Sequence, residues 1–327
     1  MSKVYKNASE LKAHLINDRN VTVGDEYSDI FTSLRYKNVV DAYKDIIGVF
    51  RNGIYEYPLN TTIEDFLFFV TADKWVSQKL FSYIDSYENQ LKLFVSEKIC
   101  LSMVKAGSLD CCDYTLFSRI LTEYEPPLDC FIPFQQRYVK KSNKSDFVVS
   151  DLAALDLISA RTKTIEKIQN LSSGVNAGEL NFYAKEYFNK NHVIPFYILV
   201  GSLSFSNLIV LFELFKKDIQ LEFMNNISKK GDLYKEEDIL SFSTRNNVIR
   251  ILRNITHHHE PVIPFLVKKD FIDYNTKFSV IDMLKSIDGK ESFVKKPNID
   301  LCFDVTKIEK FISKKSKRIK SIIEKLK

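Results

Sequence analysis

A chain of 327 residues has room for one large domain or two small ones, and 45% hydrophobic and 13% aromatic content excludes a disordered chain. Nine glycines and eight prolines argue against a turn-rich β architecture. The net charge of +5 is unevenly placed: residues 305–327 hold nine Lys/Arg against two Glu, which leaves the remainder near −2.

The first residues, Met1 to Asn7, carry no apolar core of signal-peptide type. Ser9 to Ile16 and Tyr27 to Arg51 read as shorter helices, with Pro58 and Asn60 in the loop that follows. Thr61-Thr62-Ile63-Glu64 has the spacing of a capping box that opens a long helix. Its apolar positions run Ile63, Phe66, Leu67, Val70, then Leu80, Ile84, Tyr87, Leu91, Phe94 and Val95. Neither Pro nor Gly interrupts Thr61 to Val104, so the interval is one very long helix or two with a soft bend.

A helix around Tyr114 to Thr122 precedes a break at Glu125-Pro126-Pro127, and residues 140–145 read as a solvated loop. Asp151 to Leu171 is helical and ends at Ser172-Ser173-Gly174. Further helices are expected over Glu179 to Asn189, Ile194 to Phe215 and Glu236 to His258. The expected class is all-α, with an N-terminal helical extension over 1–60, a helical domain over 61–265 and a basic C-terminal region over 266–327.

Val193 to Phe212 is twenty residues without a charge, about the length that spans a bilayer. Pro195, Gly201, Asn207 and three serines make it a poor lipid-facing helix, and Glu213 follows at once, so a buried core helix is the expectation. The five cysteines form no C-x-x-C pair and suit reduced thiols in the cytoplasm. In the tail, Ile308, Phe311, Ile312, Ile319, Ile322, Ile323 and Leu326 share one helical face and lysines the other. Such a helix docks on the core with a solvated lysine face, contacts RNA, or lies on a membrane.

Chemistry concentrates at Arg253-Asn254-Ile255-Thr256-His257-His258-His259-Glu260-Pro261, where a helix meets a proline. Arginine keeps its charge and presents a planar fork to phosphate oxygens, while histidine exchanges protons near neutral pH. Together they suit phosphodiester chemistry without a metal. A helix end that uses histidines to cap carbonyls is the alternative. A metal site is a further rival, but consecutive histidines point about 100° apart on a helix and no H-E-x-x-H accompanies them. Neither G-x-S-x-G nor a glycine-rich nucleotide loop occurs, so no cofactor is expected.

The spacing Arg253-Asn254-x-x-x-His258 resembles the R-x4-6-H motif of HEPN ribonucleases, and its surroundings resemble the Abi-like (AbiD/AbiF) abortive-infection proteins. Asn189 to Phe205 is similar to the family segment before the catalytic helix, with Phe196 in place of the usual Trp. The stretches Ala72-Asp73-Lys74 and Tyr87-Glu88-Asn89-Gln90-Leu91-Lys92 resemble the family's long helix, and Ser9 to Tyr43 resembles its opening region more loosely. The likeness covers roughly residues 5 to 262 and leaves out the tail.

The resemblance implies a HEPN-like helical bundle that cleaves RNA by attack of the ribose 2′-OH on the adjacent phosphorus. It implies Arg253 and His258 as catalytic residues, and Glu88 and Lys92 near them. Four residues apart on a helix, Glu88 and Lys92 form either an ordinary ion pair or a site in which a buried Glu88 orients Arg253. Asn254 shares a face with His258 and is placed to fix its tautomer; His257, four from Arg253, is the other candidate base, and His259 adjoins both. Expected partners are an RNA substrate, a second copy of the chain, and an antitoxin of RNA or protein, with no membrane. A non-catalytic RNA-binding or scaffold protein on the same bundle is the alternative.

Overall fold

The computed structural model describes residues 6–116, 153–227 and 234–268. Among them the chain forms eleven α-helices and a single two-stranded hairpin, so the all-α expectation is met. The break at Glu125-Pro126-Pro127, the loop at 140–145 and the tail helix lie outside the described residues, as does most of the helix expected from Tyr114 to Thr122. The described residues divide into two units, one built from 6–83 and 251–268, the other from 84–116, 153–227 and 234–250.

In the first unit, α1 (Ala8–Arg19) is opened by a capping box between Asn7 and Glu10 and closed by Asn20 in the left-handed region. The helix expected over Tyr27 to Arg51 is instead several short pieces: α2 (Ile30–Ser33), a π-turn at Lys37–Asp41, α3 (Lys44–Ile47), and then a strand. β1 (Val49–Arg51) and β2 (Ile54–Glu56) pair antiparallel across Asn52-Gly53, with φ of 48° and 84° at the two turn residues. Both positive φ values belong to a type I′ turn, whose twist matches paired strands and which Asn-Gly favours. The local turn chemistry therefore overrides the helical spacing.

The long helix α4 (Ile63–Lys105) is continuous over 43 residues. Its cap lies one residue later than the sequence suggests: the Thr62 N–H donates to Asp65 Oδ2 at 2.9 Å, making Thr62 the N-cap. Thr61 is buried and its hydroxyl donates to the Pro58 carbonyl at 2.7 Å. Backbone bonds from Thr22 N to Thr61 O and from Ile63 N to Thr22 O fasten the loop after α1 to the start of α4. Leu15, Val39, Val40, Tyr43, Phe66 and Phe69 form the centre of this unit's core.

The second unit contains α5 (Ala153–Ser172), α6 (Phe182–Asn191), α7 (Phe196–Leu199), α8 (Phe205–Glu213), α9 (Lys217–Ile227) and most of α10 (Glu236–His257). Its core is aromatic: Phe223 meets Phe94, Phe212 and Phe242 at ring separations of 4.9, 5.3 and 6.2 Å. The helix expected over Ile194 to Phe215 is broken by a 3-10 turn at Val200–Ser202. Ser204 and Asn207 then form a capping box that starts α8 afresh. In this turn Gly201 sits where a Cβ would come within 2.7 Å of Asn181 Nδ2.

The uncharged run turns one side into the core and leaves Val193 and Tyr197 exposed. Ile194, Phe196, Leu199, Phe205, Leu208 and Phe212 are all buried. Among the described residues no helix is long and apolar enough to cross a membrane. The helix α9, absent from the sequence-based expectations, follows α8 directly. Gln220 on α9 donates to the Phe215 and Glu213 carbonyls at 2.7 and 3.3 Å, satisfying acceptors at the end of α8.

Candidate functional site at the end of the last long helix

Along α10, Phe242, Asn246, Ile249, Leu252 and Thr256 are buried at spacings of three and four, which fixes the inward face of the helix. Arg253 is half-buried beside that face; Asn254, His257, His258 and His259 are exposed. Asn254 and His258 are joined by the helical bond from the His258 N–H to the Asn254 carbonyl, at 3.0 Å. The His257 and His258 rings meet edge to face with centroids 5.6 Å apart. The Thr256 hydroxyl turns back to the Arg253 carbonyl at 3.0 Å.

The helix closes in a Schellman motif. The Glu260 N–H donates to the Ile255 carbonyl at 3.0 Å and the His259 N–H to the Thr256 carbonyl at 3.2 Å. His259 takes the left-handed position with φ 54°, where glycine is usual. The capping alternative thus accounts for His259 through its backbone. It leaves the exposed rings of His257 and His258 without a structural task.

Beyond Pro261 the chain is gripped by a buried acid. Asp73, on α4 and 6% exposed, accepts the Val262 N–H at 2.9 Å on Oδ2 and the Ile263 N–H at 2.6 Å on Oδ1. These are the first donors of α11 (Ile263–Lys268). Burial pushes the Asp73 carboxyl up to about 6, against the lowering effect of the two N–H donors. In the sequence, Asp73 stands out only within the family likeness. A stronger signal is present there: Phe66, Phe69, Asp73, Val76 and Leu80 run at core spacing, so an acid occupies the buried register.

Glu88 and Lys92 form the expected ion pair, with Nζ to Oε1 at 2.9 Å. Glu88 is buried at 9% exposure rather than solvated. Both belong to the second unit, whereas residues 253–259 belong to the first. In the second unit the Tyr87 hydroxyl donates to Asn246 Oδ1, while the fully buried Asn246 Nδ2 has no acceptor among the described residues. Among the described residues no three His, Cys, Asp or Glu side chains converge to hold a metal ion.

Among the described residues, helices with one short hairpin and an Arg-Asn-x-x-x-His sequence at a capped helix end define an all-α protein with a polar helix-end site. The chain belongs to the Abi-like protein family, whose model matches residues 29–264, and that membership associates it with abortive infection, a phage defence. The match ends three residues past Pro261, so it takes in the whole histidine turn and the Asp73 contact. No curated protein and no solved structure matches the chain.

Proposed function

We propose that this protein is a metal-independent RNA endonuclease of the HEPN type, acting in the cytoplasm as an abortive-infection effector or a toxin. The observation that carries the reading is the exposure of His257 and His258 on a helix end already closed by backbone bonds, one turn from Arg253. His258 takes the proton of the ribose 2′-OH or returns one to the departing 5′ oxygen, a role that contributes roughly 10²–10⁴-fold. Arg253 stabilises the charge that builds on the nonbridging oxygens through charge-assisted hydrogen bonds. The products are a 2′,3′-cyclic phosphate and a 5′-hydroxyl. Asn254 and His259 flank the base, His257 is the second candidate for it, and Glu88 with Lys92 is the proposed supporting or RNA-binding pair.

A single chain supplies one such motif, and the proposed nuclease is a homodimer with two helix ends lining its cleft. An antitoxin, RNA or protein, is the proposed partner that holds it in check. Expression should arrest growth for the wild type and not for the Arg253→Ala/His258→Ala protein. Sequencing of RNA ends after induction should show new 2′,3′-cyclic phosphates, and cleavage by the purified protein should persist in EDTA. A protein that binds RNA and yields no such ends would be a non-catalytic RNA-binding or scaffold protein instead.

A further inference from the structure

The turn that carries the histidines has two fixed ends. On one side stands the Schellman closure, in which Ile255 and Thr256 carbonyls hold Glu260 and His259. On the other, only Pro261 separates Glu260 from Val262, whose N–H is held with that of Ile263 by the two oxygens of one carboxylate. Val262, Ile263 and Pro264 are buried, so the chain past the clasp belongs to the core.

Asp73 is ill-suited to its surroundings unless the clasp has a purpose. It interrupts the apolar register of α4, and the stacked pair Tyr43–Phe69, with rings 5.7 Å apart, comes from the core around it. Among the described residues no lysine, arginine or histidine is paired with it, and the two backbone N–H groups supply its polar contacts. Burying a carboxylate without a cationic partner is costly even when it is hydrogen-bonded, whereas an apolar residue there would fill the core without that cost. What a two-oxygen acceptor provides, and an apolar residue cannot, is a fixed position for the backbone a few residues beyond His258.

We propose that Asp73 is a positioning residue for His258, clamping the Val262 and Ile263 amides so that the histidine turn keeps one geometry. This inference rests on the reading of His258 as the catalytic acid or base. Proton transfer depends steeply on that placement, and a misplacement of about 1 Å can cost on the order of 10²-fold in rate.

Asp73→Asn is the test. It keeps the shape and one acceptor oxygen but presents a donor amide to the second N–H. With the wild type cleaving RNA, the folded variant should show faster hydrogen exchange at Val262 and Ile263. Its kcat should fall at least about tenfold while KM moves less than about twofold. A Val40→Ala protein, altered in the core of the same unit and losing similar thermal stability, should keep its kcat. Should Asp73→Asn fail to fold, Asp73→Ser, which withdraws the two-oxygen acceptor without introducing an amide, serves the same comparison. Unchanged kcat in either folded variant, or an equal loss in Val40→Ala, overturns the positioning role. A wild type that never cleaves RNA overturns the nuclease reading before the variants are compared.

Discussion

His259 holds φ 54° without being glycine, and it does so because the Schellman bonds on either side require a left-handed residue there. Histidine tolerates that region better than most side chains, yet glycine would relieve the remaining strain. The His259→Gly protein gains about 1–2 kcal/mol of relieved left-handed strain and loses about 0.4–1 kcal/mol to its more flexible unfolded chain, so it should be as stable as the wild type or slightly more so, with cleavage retained. A thermal melt and a cleavage assay on the same preparation check this, and loss of activity with a raised Tm would move His259 from the cap into the chemistry. His258 is exposed, so His258→Ala should leave Tm within a degree or two while removing cleavage. Asp73 makes the stability of the fold depend on pH. Its carboxyl rises from 3.8 to about 6 because burial penalises the charged form. The native state therefore holds a proton that the unfolded chain has released between those values. On this account stability falls as pH rises from about 4 through 6, then levels off, by up to about 3 kcal/mol in all. The difference in Tm between wild type and Asp73→Asn should shift in that direction between pH 4.5 and 7.5. Parallel curves would show that Asp73 does not titrate in this range. Function and stability thus pull apart at this site: two N–H groups need both oxygens, and the charge that offers them is expensive to bury.

At the scale of the element, what is legible in the sequence tracks how local the deciding physics is. The long helix, its lack of interruption and the end of α10 to within a residue follow from apolar spacing that stays constant for many turns. The hairpin at Val49–Glu56 carries its own signal in Asn52-Gly53, but the helical spacing of Tyr27 to Arg51 runs through its first strand and masks it. The break before α8 is set by the capping box of Ser204 and Asn207, which carries Asn where the usual Glu or Gln would mark it in the sequence. Of the site, Arg253, Asn254 and the histidines are legible by chemistry and spacing. The Schellman closure is not, since it rests on a residue type that rarely adopts it. Asp73 and Asn246 share a further reason: each is a polar residue on a buried register, which periodicity arguments discount as noise. Asn246 is the costlier of the two as it stands, with a buried Nδ2 lacking an acceptor among the described residues and an Oδ1 bound to Tyr87. An unsatisfied buried donor costs about 1–3 kcal/mol, so removing one partner and removing both have different outcomes. Tyr87→Phe alone should destabilise, because it orphans Asn246 Oδ1 as well. Tyr87→Phe with Asn246→Leu should recover most of that loss or exceed wild-type stability. Chemical denaturation of the wild type and the two variants decides it, and a double variant less stable than Tyr87→Phe would mean that the pair is stabilising as it stands.

Across the whole molecule, charge is the property that the sequence places most unequally. Residues 313–327 hold seven Lys/Arg and one Glu, so their removal takes the chain from +5 to about −1. If those side chains meet RNA phosphates, affinity falls on deletion and the slope of log K against log[salt] flattens, by about 0.7 for each single-strand phosphate left unneutralised. The cleavage pattern should not change, since phosphate contacts position a substrate without reading its bases. Deletion also removes Ile319, Ile322, Ile323 and Leu326, and with them any apolar docking, so it confounds two effects. A full-length protein with the seven basic residues changed to Gln separates them. It keeps the apolar pattern and most of the helix propensity, and it alters charge alone. Weaker RNA binding with a shallower salt slope in that protein would place the electrostatic footprint in the tail. Unchanged affinity and slope would leave the lysines as a solvated face, and RNA attraction would then have to arise from residues before 305, whose net charge is near −2.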